Sequence, residues 1–341
     1  MLDTNLKSYD IAVLLPCLNE AAAIAQVVFD FRRALPGTRI YVYDNNSIDE
    51  TAAQAARAGA IVIPSRRKGK GNVVRQMFSD VEADIYIMAD GDGTYDASVA
   101  PDLIKKLIED RLDMVVGTRR DVTKDAGRAG HAFGNRLFNI TYQSVFGKDF
   151  TDIFSGYRVF NRRFAKSFPA QSTGFEIETE MSVHATVLRL PTAEVECDYG
   201  VRGEGSESKL SSFKDGFKIL RMIATLMKET RPFLFFSYIA TALLGVAVVF
   251  GGTVVAEYFA TGLVDRIPTW ILSMTLLLGA MITFSVGVIL DSVARGRAEQ
   301  KRIHYLSIPT ARGEERSIAP RLQERRDLQK QSNISLRGME S

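Results

Sequence analysis

Asp90-Gly91-Asp92-Gly93-Thr94-Tyr95-Asp96 is the stretch of this chain best suited to handle charge, and it directly follows an apolar run, Ile85 to Ala89. Two carboxylates two positions apart at a strand end can project the same way, and the glycines let backbone and ligand approach closely. Such a pair suits a hard divalent cation, Mg2+ or Mn2+, which takes its remaining oxygen ligands readily from a nucleotide diphosphate. The alternate positions Asp90, Asp92, Thr94, Asp96 and Ser98 also fit a calcium loop, but Tyr95 stands where that loop needs glycine and Pro101 where it needs the closing glutamate. The plain alternative is a turn of aspartates and glycines.

Three further polar clusters end or follow apolar runs: Pro16-Cys17-Leu18-Asn19-Glu20, Asp44-Asn45-Asn46-Ser47, and the basic Arg66-Arg67-Lys68-Gly69-Lys70-Gly71. The runs themselves predict strands over Asp10 to Leu15, Arg39 to Tyr43, Ala60 to Ile63, Asp84 to Ala89 and Asp113 to Val116. Ile24, Val27, Val28, Phe31 and Leu35 recur at helical spacing, and Ser47 with Glu50 has capping-box spacing that predicts a helix from about Ile48. Strands alternating with helices imply an α/β, mostly parallel sheet with ligands at the carboxyl ends of its strands. That edge would gather all four clusters, a combination that fits a nucleotide diphosphate with its metal. No G-x-G-x-x-G follows the first strand and no G-x-x-x-x-G-K-[ST] occurs, which argues against nicotinamide cofactors and P-loop chemistry. Asn135 to Phe146 and Glu176 to Leu190 read as helices, and Phe160 to Phe168 is ambiguous.

The chain has 341 residues, 43 basic against 40 acidic, and two cysteines, Cys17 and Cys197. Near balance of charge gives no reason to expect nucleic acid as a partner, and two cysteines make no disulfide framework. Pro232 to Ala256 and Ile267 to Leu290 contain no Asp, Glu, Lys or Arg, and each is long enough to cross a membrane as a helix. Basic residues flank the pair on the outer sides (Lys214, Lys218, Arg221, Lys228, Arg231; Arg295, Arg297, Lys301, Arg302), while the loop between holds Arg266 against Glu257 and Asp265. The positive-inside rule then predicts a multi-pass protein of the cytoplasmic membrane with both termini and the polar domain in the cytoplasm. The polar start, Met1 to Asp10, gives no sign of a signal peptide. Phe213, Phe217, Leu220, Ile223 and Met227 share a helical face beside basic residues, the pattern of an interfacial helix or of an ordinary amphipathic one. The expected organisation is 1–210 catalytic, 211–231 juxtamembrane helix, 232–291 transmembrane hairpin and 292–341 a basic, mostly flexible tail.

The ordered series P-x-x-N-E, then D-x-x-S-x-D-x-T (Asp44, Ser47, Asp49, Thr51), then D-x-D resembles glycosyltransferase family 2, whose fold is of the GT-A type. Gly117-Thr118-Arg119, the series Arg128, His131 and Asn135, Asp152 to Arg158, and Arg202 with Ser208-Lys209-Leu210 resemble its polyprenyl-phosphate and dolichyl-phosphate sugar synthase branch, membrane-anchored type. The resemblance spans roughly Ile11 to Leu210. It implies that Pro16, Leu18, Glu20, Asp44 and Asn45 line the base and ribose pocket and that Asp90 and Gly91 contact the nucleotide. It further implies that Asp92, with Thr94, holds Mg2+ or Mn2+, and that Lys70, Arg119, Arg202 and Lys209 bind the donor, with Arg128, His131, Arg158 and Glu178 on the acceptor side. The chain departs from the family's pattern at Asn45 (commonly Asp), Thr94 (often Gln) and His131 (usually Ser).

The implied reaction moves a sugar, with inversion, from a nucleotide-sugar to polyprenyl phosphate at the bilayer, in a possible homo-oligomer. A lipid phosphate is largely a dianion at neutral pH and already a competent nucleophile, so no strong general base is needed. Asp152 is the candidate for orienting the acceptor or assisting as a base, against the alternative of a structural turn aspartate. Glu178 has the alternative of an acid favoured at a helix N-terminus. Transfer to another membrane acceptor, or a non-catalytic nucleotide-sugar scaffold, are the rival readings.

Overall fold

Alternating apolar and amphipathic segments become strands and helices in a computed structural model that describes residues 8–120, 150–174, 176–200 and 224–309. The chain divides into two compact units, one of residues up to 209 together with those from 303, the other Leu210–Arg302.

In the first unit the order is β1 (Ile11–Cys17), α1 (Ile24–Ala34), β2 (Arg39–Asp44), α2 (Thr51–Arg57), β3 (Ile61–Pro64), α3 (Lys70–Asp80), β4 (Ile85–Met88), α4 (Ala100–Glu109), β5 (Met114–Arg120), β6 (Arg158–Asn161), α5 (Arg162–Ser167), α6 (Ile177–Leu188) and β7 (Thr192–Asp198). The strands form one sheet ordered β3-β2-β1-β4-β6-β5-β7. All pairings are parallel except those of β6, which runs antiparallel to both β4 and β5. That reversal brings the start of β6 to the same edge as the carboxyl ends of β1 to β5, so the segment before Arg158 joins the loops expected to carry the chemistry. The core lies under α1 and α4: Ile24, Val27, Val28 and Phe31 of α1 and Leu103, Ile104 and Leu107 of α4 pack with Val13, Leu15 and Ile87.

The five expected strands are present with ends shifted by a few residues. The ambiguous 160–168 stretch is a strand followed by a short helix, because Asn161 breaks the run and its side chain accepts from Phe164 N, capping α5. The capping box does not form. α2 starts at Thr51 rather than near Ile48, because Ser47 and Asp49 bond across to the loop after β1.

The second unit contains the apolar helix α7 (Pro232–Thr261) and all but the last turn of the long α8 (Ile267–Ser307), both long and apolar enough to cross a membrane. Residues 224–230 are also helical, while 211–223 of the expected juxtamembrane helix lie outside the described residues. Ala240, Ala247, Gly251 and Val254 of α7 are buried, as are Ser273 and Ala280 of α8, and Ser273 Oγ donates to Ala247 O at 2.8 Å. Most other apolar side chains of the pair are exposed, so the two helices meet mainly along small residues. α8 runs well past the expected boundary at 291, so at least the first part of the expected tail is helix; Ala, Arg, Glu, Gln and Lys there are good helix formers, and Arg295 pairs with Asp291 one turn back.

A Cβ at Gly251 would strike Ser273 Oγ, whereas one at Gly252 meets open space. Gly251→Leu is therefore expected to destabilise the hairpin by roughly 1–3 kcal/mol through overpacking. Thermal unfolding in detergent checks this: its midpoint should fall for Gly251→Leu and stay at the wild-type value for Gly252→Leu.

Candidate active site

The loop after β1 and the loop after β2 are stitched together by the polar residues of their motifs. Asn19 N donates to Ser47 Oγ at 2.9 Å, Glu20 N to Thr51 Oγ1 at 2.8 Å, Ala21 N to Asp49 Oδ2 at 3.1 Å, and Ile48 N to Asn19 Oδ1 at 2.9 Å. Asn19 and Asn46 adopt left-handed φ of 55° and 64°, which asparagine tolerates better than most residues. The S-x-D-x-T spacing is thus explained by backbone donors it must satisfy, and burial raises the Asp49 carboxyl less than its bonds to Thr51 and Ala21 lower it. Pro16 pairs in register with Tyr43 and Cys17 with Asp44, which sets Pro16, Leu18, Glu20 and Asp44 along one edge.

β4 delivers Asp90 and Asp92 to that edge from a fully buried strand. The Lys70 ammonium, at the first turn of α3, bridges Asp90 Oδ1 and Glu178 Oε1, the latter at 2.5 Å. Burial alone would pull the Lys70 pKa down, but the charges of Asp90 and Glu178 more than reverse it. For Glu178, burial pushes the carboxyl up and exceeds the opposing pull of Lys70, with Asp90 adding to the rise. Glu178 is buried, and its Oε2 has no hydrogen-bond partner among the described residues. The packing is tight around the pair: a Cβ at Gly156 would lie 2.7 Å from Asp90 Oδ2, and one at Gly91 would collide with Cys17 Sγ.

Asp92 is buried, and its Oδ1 accepts from Thr94 N at 3.2 Å and Thr94 Oγ1 at 2.7 Å. Thr94, expected as a second metal ligand, therefore aims its hydroxyl proton at Asp92 and orients that carboxylate. Asp96 accepts from Ser98 N and Oγ and caps a single turn, so the alternate acids do not close a calcium loop. Among the described residues no group of three or more His, Cys, Asp or Glu could cage a metal. The donor set still fits Mg2+ or Mn2+: Lys70 occupies Asp90 Oδ1, Asp92 offers a fixed carboxylate, and such a cation commonly takes one or two protein carboxylates with the rest from substrate phosphates and water.

Beside this pair, Arg119 at the end of β5 meets Asp152 in a two-pronged contact, Nε to Oδ2 and Nη2 to Oδ1, both 2.8 Å, with Arg119 N adding a third bond at 3.2 Å. Burial raises the Asp152 carboxyl, but the Arg119 bonds and charge outweigh it and hold the pKa below the usual value. Asp152 is thus a weak proton acceptor and a strong anchor for Arg119. A carboxyl held low in the folded state stabilises fully above its unfolded value, near 3.9, and loses that contribution as pH falls through the folded value. Asp152→Asn is accordingly expected to lower stability at pH 7 by about 1–3 kcal/mol, with the gap to wild type closing below about pH 4. Thermal unfolding across pH 3 to 7 measures it.

Arg158 contradicts its expected acceptor-phosphate role. Its side chain is wholly buried, with Nε donating to Ser155 O, Nη2 to Ile153 O and Nη1 to Ser182 Oγ at 2.9 to 3.0 Å. Facing β6's reversal, it props the loop that carries Asp152. Asn45 likewise sends its side chain to the basic loop after β3 rather than along the base pocket. Arg128, His131, Arg202 and Lys209 lie outside the described residues.

Sequence reasoning missed Glu194, which accepts from Thr151 N, Thr151 Oγ1 and Asp152 N, and Tyr95, whose hydroxyl accepts from Gly156 N at 2.8 Å. It also missed Tyr199, whose ring lies under the Arg119 guanidinium at 5.5 Å. Tyr95 alone had a signal, being inside the D-x-D segment.

The partly exposed Asp90 and buried Asp92 after β4, a basic loop before α3 and an arginine at the end of β5 thus lie on one edge of this sheet. Residues 12–168 match glycosyl transferase family 2. Glycosyltransferase AglJ of Haloferax volcanii is 32% identical over 299 residues, 87% of this chain and 98% of that protein. Protein RfbJ of Shigella flexneri is 57% identical over 125 residues, 36% of this chain and 97% of that protein. A crystal structure of glucosyl-3-phosphoglycerate synthase from Mycobacterium tuberculosis with Mn2+, UDP-glucose and phosphoglyceric acid superposes with a TM-score of 0.54 at 23% identity, over 67% of this chain and 81% of that one, so the GT-A-type fold is shared. With fold, motif order and near full-length similarity in agreement, the chain belongs to glycosyl transferase family 2 and is a glycosyltransferase.

Proposed function

We propose that the protein transfers one sugar, with inversion, from a nucleotide-sugar to a polyprenyl phosphate at the cytoplasmic membrane face. The observation that carries this reading is the convergence of Asp90, Asp92, Lys70 and Arg119 on one sheet edge in a chain that also has two membrane-length apolar helices. Two relatives lend support. A protein named dolichyl-phosphate hexose transferase from Haloferax volcanii is 28% identical over 229 residues, 65% of this chain and 96% of that protein. The synthase noted above was crystallised with a divalent cation and a UDP-sugar.

In this reading residues 1–210 are the catalytic domain, 211–231 a juxtamembrane helix and 232–291 the spanning hairpin, with both termini cytoplasmic by the placement of basic residues. Pro16, Leu18, Glu20 and Asp44 receive the base and ribose, and Asp90 and Gly91 the nucleotide. Asp92 would hold a divalent cation, which would supply positive charge to the leaving diphosphate. Arg119, fixed by Asp152, offers protein charge to the same phosphates, joined by Arg202 and Lys209. Arg128 and His131 are assigned to binding the acceptor phosphate, with Glu178, buried and paired to Lys70, on the same side. An oxygen of the lipid phosphate dianion forms the bond to the anomeric carbon as the bond from that carbon to the nucleoside diphosphate breaks. The electron pair leaves with the diphosphate and no proton is moved. The chain's residues therefore position and neutralise, which is where catalysis of such a step resides.

Purified full-length protein in lipid nanodiscs, given labelled UDP-, GDP- and dTDP-sugars with Mg2+ or Mn2+, tests the acceptor class. Label should enter undecaprenyl phosphate in preference to diacylglycerol or 3-phosphoglycerate. Preference for either of the other two would replace polyprenyl phosphate as the acceptor.

A further inference from the structure

Asn45 is buried at the end of β2, and its amide is committed in full to the basic loop that precedes α3. Both Nδ2 hydrogens are used, on Ser65 O at 3.1 Å and Arg67 O at 2.7 Å, and Oδ1 accepts from Gly69 N at 2.7 Å. The same loop is held by Asn46 Nδ2 on Ser65 O and Arg66 O, and by Asn72 Nδ2 on Lys68 O. Gly69, with a φ of 115° that disfavours side chains, turns directly into Lys70, the cation between Asp90 and Glu178. A Cβ at Gly69 or Gly71 would collide with the carbonyl of Thr173 or Ser172, so the start of α3 has little room to shift.

We infer that Asn45 is a positioning residue, which latches Ser65 to Gly69 so that Lys70 is delivered onto Asp90. An aspartate at this position would turn acceptor oxygens toward two carbonyls and keep only the bond from Gly69 N. The chain carries the one residue of that shape that can donate twice and accept once. This rests on the reaction proposed above for its effect on turnover, but the latch itself can be read without turnover.

Asn45→Asp and Asn45→Ala, made in the full chain and purified in detergent, test it in two arms. Trypsin cleavage after Arg66, Arg67 and Lys68 at pH 8, followed by mass spectrometry, should run about tenfold or more faster in both variants, as lost buried hydrogen bonds translate into loop opening. Rates equal to wild type overturn the latch. In sugar transfer, Asn45→Asp should lose about tenfold or more in kcat/KM for the donor at pH 8, and regain part of it relative to wild type at pH 6 as the introduced carboxyl takes up a proton and donates again; Asn45→Ala should show a loss that does not change with pH. Wild-type turnover in Asn45→Asp, or a ratio to wild type that is flat with pH, overturns the positioning role. Absence of transfer by the wild-type protein would contradict the proposed reaction, and cleavage alone then decides the latch.

Discussion

Asp92→Asn is expected to lower kcat for sugar transfer by about 10²–10³-fold while leaving the unfolding midpoint unchanged. The substitution keeps the shape of the side chain and an oxygen to accept the Thr94 bonds at 3.2 and 2.7 Å. What it removes is the negative charge that would hold a divalent cation against the leaving diphosphate. Lys70 cannot substitute, because it is already committed to Asp90 and Glu178. Because the loss arises in the step where charge builds on the leaving group, it should fall on kcat and kcat/KM alike rather than on acceptor KM. Steady-state kinetics with saturating Mn2+ checks this, and turnover within about tenfold of wild type would remove Asp92 from the cation site.

The second large effect concerns stability. Lys70→Met is expected to cost about 3–5 kcal/mol, because removing the buried cation leaves the buried carboxyl of Glu178 and the partly exposed one of Asp90 without their shared partner. Breaking one partner of a buried ionic group is far more harmful than replacing the group. Adding Glu178→Gln to Lys70→Met should therefore recover a large part of the loss, since one of the two stranded charges disappears. Denaturant or thermal unfolding of wild type and the three variants forms a double-mutant cycle. Additive losses would show that Lys70 and Glu178 do not share their burial cost.

The elements that carry the site were legible where the sequence signal is local. β1, β4 and α1 announce themselves by apolar runs and helical periodicity, and their buried side chains are the ones the patterns select. The D-x-D loop and the basic loop were legible as chemistry because charge at a strand end has few structural uses. β6 was not, since Arg158 to Asn161 is short and its direction depends on pairing with β4 and β5, both distant in sequence. β7 was obscured by being half-exposed at the sheet edge, with Cys197 its one buried side chain. Ser47 and Glu50 looked like a local cap because spacing reports neighbours along the chain; the bonds of Ser47 and Asp49 to the loop after β1 are tertiary. Arg158 and Asn45 were placed at ligands by resemblance, which carries a motif's residue type but not its packing. A polar residue in a motif has a type that can be read, but whether it faces substrate or a carbonyl is decided by packing.

The reading of the protein as a polyprenyl-phosphate glycosyltransferase is tested most directly by extracting lipid after a reaction in nanodiscs containing undecaprenyl phosphate and a labelled nucleotide-sugar. The expected result is label in the organic phase with one donor, lost with EDTA, restored by Mn2+ or Mg2+, absent with Asp92→Asn, released by mild acid as water-soluble sugar, and of inverted anomeric configuration in the intact lipid. Label that enters the organic phase but resists mild acid, or that persists with EDTA, would contradict transfer to the lipid phosphate by a cation-dependent site.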